Sequence, residues 1–239
     1  MNPLTNHQKA ALAQYRQLIA EHPNLFGTRA LRPIVRDFDL LEAYAAEHST
    51  VLGVAAATPY SQFVVDLVES QLPDGTLHRF PYQRLISASQ LKGGINVVIL
   101  ATIENPQLGN VGDVVLLEEE RHATGTTEIG LPRGFGEAGL SGEQNALKEL
   151  REESGYGGEK VSLLGSAYID TGVTDSKIFY YHVAVTNHMA GAAEHEEAIT
   201  NVSLVSLESL WESVRSGELQ DSFTLQALAF YQSHQNSKS

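Results

Sequence analysis

The chain contains no cysteine, and this absence removes several kinds of chemistry at once. Disulfides, thiolate zinc sites and a cysteine nucleophile are all excluded. Long apolar runs are missing too, because the longest one, Ile95 to Ile103, is broken by Asn96 and Thr102, and about 20 apolar residues are needed to cross a bilayer. The amino-terminal residues lack the basic and then apolar layout of a secretion signal. We therefore expect a cytoplasmic protein that does not span a membrane.

Positive charge is scarce as well. The 239 residues carry 16 Lys and Arg against 29 Asp and Glu, which gives a net charge of −13. The imbalance lies in residues 91–239, with 9 basic and 21 acidic side chains, whereas residues 1–90 hold 7 and 8. Such an acidic region repels the phosphates of DNA and RNA, so we expect no nucleic acid as a main partner. A small anionic substrate is still compatible if a bound cation reverses the local field.

The order of the expected elements indicates an α/β protein in two regions. Helices are expected over 5–21 and 38–48, and a hairpin is expected around the turn at 73–75. The charge shift near residue 90 and the following glycine pair predict a boundary there. We therefore expect a small αβ region of unknown role at 1–90 and a larger α/β domain at 91–239. The elements expected in the larger domain are strands at about 95–104, 113–120, 161–167, 178–185 and 202–205, helices at 207–216 and 221–234, and a disordered tail at 233–239.

A glycine-rich loop that leads into a helix with clustered carboxylates is the most informative stretch. The loop, Gly134 to Gly139, contains three glycines that allow its backbone to approach a ligand closely. The helix carries Glu149, Glu152 and Glu153, whose spacing places three carboxylates on one face. These charges repel one another, and a hard divalent cation with oxygen ligands would neutralise them. Clustered glutamates are also typical of a solvated helix face, so the spacing of these three alone leaves both interpretations open.

The full stretch resembles the Nudix box: a glycine, five residues, a glutamate, seven residues, then Arg-Glu-apolar-x-Glu-Glu-x-Gly-apolar. Here the glycine is Gly134, and the closing part runs from Lys148 to Tyr156. Leu140 stands where the family has its first glutamate, and Lys148 replaces the arginine that orients the other glutamates. Lysine keeps the charge but loses the planar fork that can bridge two carboxylates. The resemblance implies a Nudix α/β/α sandwich with a mixed sheet, an intact metal-binding trio and a catalytic, orienting role for Lys148.

The flanking segments are similar to the ADP-ribose pyrophosphatase branch of the family. The segment Leu116 to Ala123 resembles LVEQYRHA, whose arginine contacts the nucleotide, so Arg121 is expected to bind substrate. The segment Leu131 to Gly134 resembles LPAG, whose third residue gives a backbone carbonyl to a metal. Arg133 takes that place, and its side chain is also a candidate phosphate ligand. Gly134 is counted with the substrate-binding residues because its backbone can approach a phosphate.

In that branch, an acidic loop carries the general base or a further metal ligand. The corresponding candidate here is Glu196, with Glu194 and Glu197 as alternatives, and the segment Ser216 to Thr224 resembles the closing motif SGEIxDAxT. A base must come within about 2.6–3.2 Å of the attacking water, which a mobile loop can achieve on closure. A solvated acidic loop without a catalytic role is an equal alternative for each of these glutamates.

Together the resemblances imply a hydrolase of nucleoside diphosphate derivatives that depends on Mg²⁺ or Mn²⁺. ADP-ribose is the favoured substrate, and AMP and ribose 5-phosphate are the expected products. One alternative is a Nudix-like module that binds or senses nucleotides without hydrolysis, which Leu140 and Lys148 motivate. Another is a pyrophosphatase for a different dinucleotide, a sugar nucleotide or a coenzyme A derivative. The expected partners are a nucleoside diphosphate-linked small molecule and a second copy of the chain in a homodimer.

Overall fold

The computed structural model describes residues 3–27, 31–189 and 198–236, and the chain divides into two compact units. The first unit comprises Met1–Leu91 together with Ile169–Ser176. The second comprises Lys92–Tyr168 together with Lys177–Ser239. The segment Ile169–Ser176 thus packs with the first unit, although most of the second unit's strands lie between them in the sequence. A domain boundary near residue 90 stays a proposal.

The first unit combines helices with a small antiparallel sheet. Its described elements are α1 (Asn6–Glu21), a 3-10 turn (Pro23–Phe26), α2 (Phe38–His48), β1 (Gly53–Ala57), β2 (Ser61–Gln71), β3 (Leu77–Ser87) and α3 (Ala88–Leu91). The strands lie in the order β1-β2-β3, and β2 and β3 form the expected hairpin. A capping box of Thr5 and Gln8 fixes the start of α1. Helix α1 buries Leu12, Tyr15 and Leu18 in the core of this unit.

A buried ion pair joins β2 to β3 within this core. The Nε atom of Arg84 lies 2.5 Å from Asp66, and both side chains are almost fully buried. The Tyr15 hydroxyl donates a second hydrogen bond to Asp66 at 2.5 Å. Burial, and then the charge of Asp66, raises the pKa of the Tyr15 phenol well above its ordinary value, so the phenol stays a donor. Removing the Asp66 carboxylate would leave the buried Arg84 guanidinium with two weaker partners, the Asp175 carboxylate at 3.6 Å and the Leu25 carbonyl at 3.1 Å.

The second unit is a mixed α/β assembly. Its described elements are β4 (Asn96–Ile103), β5 (Val114–Arg121), β6 (Thr126–Gly130), β7 (Arg133–Gly134), α4 (Gly142–Ser154), β8 (Tyr156–Gly157), β9 (Lys160–Tyr168), β10 (Lys177–Val185), β11 (Asn187–His188), β12 (Ile199–Val205), α5 (Leu207–Ser216) and α6 (Ser222–Asn236). The main sheet has the order β12-β5-β4-β10-β9, with β6 added to β5 and β7 added to β4. Strands β4 and β10 are parallel and their other neighbours are antiparallel, which makes the sheet mixed.

Strand β4 lies at the centre of three layers. All of its residues are buried, as expected for a strand covered on both faces. Val98 and Leu100 belong to the apolar cluster that includes residues of α5 and α6. Val97 and Ile99 belong to the cluster that includes Ala146 of α4. The expected α/β/α sandwich is therefore confirmed. None of the helices in the described ranges is long and apolar enough to span a membrane.

Some element boundaries differ from those expected from the sequence. The tail was expected to be disordered from residue 233, but α6 continues to Asn236, so this expectation is wrong for 233–236. Partly buried Phe230 and Tyr231 pack against the core and support the last turns of this helix despite its polar end. Strand β6 was not expected, because its five mostly polar residues show no strand pattern in the sequence. Its backbone pairing with β5 makes it a strand.

The hairpin β2–β3 offers a matched test of buried and exposed ion pairs. Asp66→Ala is expected to lower the free energy of unfolding by about 3–5 kcal/mol, because Arg84 would lose its close buried partner and keep the more exposed Asp175 at 3.6 Å, and Tyr15 would lose its acceptor. Glu69 pairs with Arg79 on the same two strands at 2.7 Å but is partly exposed, so Glu69→Ala is expected to cost about 0–1 kcal/mol. Urea unfolding of both variants measures the difference, and equal losses would contradict the assigned burial.

Candidate active site

Two local signals fix the helix that carries the glutamates. Ser141 caps the start of α4, and its side chain and that of Gln144 form a reciprocal capping box. Gly155 ends the helix in the left-handed region, with φ of 73°, which favours glycine. The helix therefore starts directly after the glycine loop, and all three glutamates fall in its last two turns. The capping residues at both ends of α4 therefore determine where the three carboxylates lie on the helix.

Two of the three carboxylates point into the protein. Glu149 is 8% exposed and Glu153 is 5% exposed. The backbone N–H of Arg133 donates a 2.8 Å hydrogen bond to Oε2 of Glu153. A methyl group at Gly134 would overlap the carboxyl group of Glu149. The absence of a side chain at Gly134 thus creates the space in which the Glu149 carboxylate lies against strand β7.

The third carboxylate has a different environment. Glu152 is partly exposed and forms an i,i+4 ion pair with Lys148. The same ammonium lies 3.1 Å from Glu137 in the glycine loop. Partial burial lowers the pKa of Lys148, but the hydrogen bonds to Glu152 and Glu137 outweigh it and raise the pKa above the usual range. Lys148 is therefore a fixed positive charge between the loop and the helix.

Two guanidinium groups lie close to the buried carboxylates. Arg133 forms a 2.6 Å ion pair with Asp221 and lies 4.8 Å from the ring centre of Phe223. Arg121 pairs with Glu119. Burial, followed by the charge of Arg133, lowers the pKa of Arg121, and the opposing influences include Glu153. The site thus brings buried carboxylates together with two arginines that are each paired with another carboxylate.

Arg121 also has an unused donor. Its Nε atom is buried and has no hydrogen-bond partner among the described residues. A buried donor without a partner costs about 1–3 kcal/mol, so this N–H gains more than an exposed donor from an anionic acceptor. The geometry therefore fits the expected substrate-binding role of Arg121, whereas the side chain of Arg133 is already held by Asp221.

Several residues that shape the site had not been singled out from the sequence. Asn96 accepts a 2.9 Å hydrogen bond from the N–H of Gly136, and Asn145 donates to the carbonyl of Phe135 at 3.3 Å. Both asparagines hold the glycine loop by its backbone. Asp221 accepts from the N–H and the hydroxyl of Thr224 at the start of α6. Asp221 could have been found from the Asp-x-x-Thr spacing, which is typical of a helix start. The sequence signal for Asn96 was a polar residue within an apolar strand.

The residues fit a hard divalent cation in donor type. Glu149 and Glu153 bring carboxylate oxygens to the backbone of Arg133, and Mg²⁺ prefers such oxygen ligands. Within 3–27, 31–189 and 198–236, no group of three or more His, Asp or Glu side chains is gathered closely enough to hold an ion. The pairing of Glu152 with Lys148 explains why the third carboxylate is directed elsewhere. The expected base candidates Glu194, Glu196 and Glu197 lie outside the described residues.

Comparisons with known proteins agree with this geometry. The profile of the NUDIX domain matches residues 95–225. The ADP-ribose pyrophosphatase of Bacillus subtilis (strain 168) is 28% identical over 125 residues, which cover 51% of this chain and 66% of that protein. The ADP-ribose pyrophosphatase of Saccharomyces cerevisiae (strain ATCC 204508 / S288c) is 27% identical over 100 residues, covering 42% and 43%. The alignments thus span less than two thirds of either curated relative.

A solved structure supports the same fold. The crystal structure of an ADP compounds hydrolase superposes with a TM-score of 0.60 and covers 78% of this chain and 92% of that one. The sequence identity is 16%, so this similarity concerns the fold alone.

Two glycine variants separate site geometry from folding. Gly134→Ala is expected to displace the flexible end of Glu149 and to weaken Mn²⁺ binding by about tenfold or more, with little change in stability. Gly136→Ala would overlap the backbone of Ile95 and is expected to cost about 1–3 kcal/mol of folding free energy. Titration calorimetry and thermal unfolding provide the two measurements. Unchanged Mn²⁺ affinity in Gly134→Ala would contradict the expectation that Glu149 binds the metal.

Proposed function

The chain belongs to the NUDIX domain family, and on this premise we propose that it hydrolyses the pyrophosphate bond of nucleoside diphosphate derivatives. ADP-ribose is the favoured substrate, with AMP and ribose 5-phosphate as products. The observation that carries this proposal is the burial of two carboxylates, Glu149 and Glu153, against the backbone at Arg133–Gly134, with the charge of Glu153 acting on Arg121. Both curated relatives described above carry the name ADP-ribose pyrophosphatase, which supports the choice of substrate.

The carboxylates would hold the metal. Glu149 and Glu153, with the backbone carbonyl of Arg133, would bind Mg²⁺ or Mn²⁺, and Glu152 would join them after release from Lys148. When bound, the cation supplies charge neutralisation for the pyrophosphate and lowers the pKa of a water. Lys148 holds its positive charge beside the glutamates, which limits their mutual repulsion before a metal binds.

Other side chains would bind and orient the substrate. Arg121, whose Nε donor has no hydrogen-bond partner among the described residues, would bind an anionic oxygen of the pyrophosphate, and the backbone of Gly134 would lie beside it. Asp221 holds Arg133 in one orientation through the 2.6 Å ion pair. Proton removal from the attacking water is assigned to Glu196, with Glu194 or Glu197 as alternatives.

One observation favours a second function from a different class. The trio at 149, 152 and 153 is not gathered into an ion site within the described ranges, and Leu140 supplies no carboxylate. A nucleotide-binding module without hydrolysis would have these properties. A panel of nucleoside diphosphate derivatives, assayed with Mg²⁺ and with Mn²⁺ by coupled phosphate release, separates the two functions and also tests other dinucleotides, sugar nucleotides and coenzyme A derivatives. The cytoplasmic location and the homodimer stay predictions from the sequence.

Removing one metal-binding charge tests the enzymatic proposal. Glu153→Gln keeps an acceptor for the Arg133 N–H but removes the negative charge that would bind the cation. A loss of ~3 kcal/mol of transition-state stabilisation is expected, which corresponds to a roughly hundredfold decrease in kcat. Steady-state hydrolysis of ADP-ribose measures it.

Glu143→Gln is the matched control, because Glu143 is an exposed residue of the same helix. Its kcat should stay near that of the unchanged protein. An unchanged rate in Glu153→Gln would reject the assignment of Glu153 to the metal.

The substrate role of Arg121 gives a separate prediction. Arg121→Lys keeps a positive charge but removes the buried Nε donor, so KM for ADP-ribose is expected to rise about tenfold with a smaller change in kcat, since ~1.4 kcal/mol corresponds to a tenfold effect. Initial rates over a range of ADP-ribose concentrations give both constants. A decrease in kcat alone would place Arg121 in the transition state and not in ground-state binding.

A further inference from the structure

The glycine loop carries a carboxylate that the box pattern does not contain. Glu137 lies three residues before Leu140, and a turn with the Leu140 N–H directed at the Glu137 carbonyl separates them. Gly139 has a φ of +87°, which lets the loop fold back at this point. The fold thereby places the Glu137 carboxylate 3.1 Å from the ammonium of Lys148.

Lysine at position 148 needs more support than arginine would. An ammonium is a point charge on a flexible stem, and it cannot hold two carboxylates in one plane as a guanidinium does. In this chain the ammonium is held from two elements, by Glu152 on α4 and by Glu137 on the loop. Two carboxylates on different elements restrict the lysine to one position.

We propose that Glu137 replaces the glutamate that is missing at Leu140, and that it acts as a positioning residue through Lys148. The inference rests on the proposed function, because it assigns Lys148 to the orientation of the metal-binding glutamates. Glu137 shares the ammonium with Glu152 and so eases the release of Glu152 from Lys148 towards Glu149 and Glu153. The chain thus departs from the box at Leu140 and at Lys148, and Glu137 in the loop supplies a carboxylate for Lys148 in place of the missing one at position 140.

The contribution of this cluster to folding is small. The side chains of Glu137, Lys148 and Glu152 are 55%, 32% and 33% exposed, and ion pairs of this kind contribute about 0–1 kcal/mol to stability. The loop backbone is held separately by Asn96 and Asn145. Loss of the Glu137 charge should therefore leave the loop folded and change only the position of Lys148.

Three variants test the proposal. Glu137→Gln removes the charge at nearly constant size. Glu137→Gln combined with Leu140→Glu places a carboxylate at the position where the box has one. Glu143→Gln makes the same charge change at an exposed position of α4 and serves as the control. Mn²⁺ affinity by titration calorimetry, thermal unfolding, and kcat and KM for ADP-ribose are measured for each.

Glu137→Gln is expected to weaken Mn²⁺ binding about tenfold and to lower kcat at subsaturating metal by a similar factor, as is typical when a partner of a metal ligand is lost. Its KM for ADP-ribose at saturating metal and its melting temperature should stay near those of the unchanged protein. The double variant should regain most of the Mn²⁺ affinity, and Glu143→Gln should retain it.

Equal Mn²⁺ affinity in Glu137→Gln and the unchanged protein would overturn the proposal, and so would a loss that Leu140→Glu does not restore. A loss of the same size in Glu143→Gln would show a general charge effect and overturn it as well. Failure of the unchanged protein to hydrolyse any nucleoside diphosphate derivative would reject the proposed function instead, since the Mn²⁺ titrations test Glu137 without turnover. Absence of Mn²⁺ binding in the unchanged protein would reject both.

Discussion

The contact between helix α4 and the backbone at Arg133–Gly134 is the constraint on which the site depends. Two buried carboxylates lie against this backbone: Glu153 accepts a hydrogen bond from the Arg133 N–H, and Glu149 occupies the space that a side chain at Gly134 would fill. Burying carboxylates is costly unless they are hydrogen-bonded or paired. The surrounding structure reduces that cost while keeping the oxygens available to a cation.

Around this contact, opposite charges are arranged in separate pairs. Arg133 is bound to Asp221, Arg121 to Glu119, and Lys148 to Glu152 and Glu137. A chain with a net charge of −13 thus concentrates three of its few cations at one place. These three cations face four carboxylates in the same pairs, so a bound metal cation would be needed to make the local field favour an anionic ligand. The overall charge keeps the expectation that nucleic acid is not a main partner.

The sequence predicted correctly those helices whose caps and apolar spacing lie within the segment itself. The helices at 38–48 and 207–216 have the predicted bounds, because their caps and apolar spacing lie within the segments themselves. The box spacing predicted which glutamates share the face of α4. Partners brought together by the fold were not predictable: Asp221 meets Arg133 from the far end of the chain, and Asn96 meets Gly136 across a loop. The contact of Glu137 with Lys148 could not be predicted from the box spacing, because it depends on the turn between Glu137 and Leu140.

The parallel pairing of β4 with β10 has a consequence for how the chain is made. Asn96 pairs with Ile178, so the central ladder of the sheet cannot close until the ribosome has released the later strand. The residues directly before β10, Ile169–Ser176, belong to the first unit, which therefore also waits for them. Pairings between distant residues form slowly and leave apolar strands exposed in the meantime. During synthesis, β4 thus lacks its parallel partner, and one edge of this apolar strand stays unpaired until β10 has emerged.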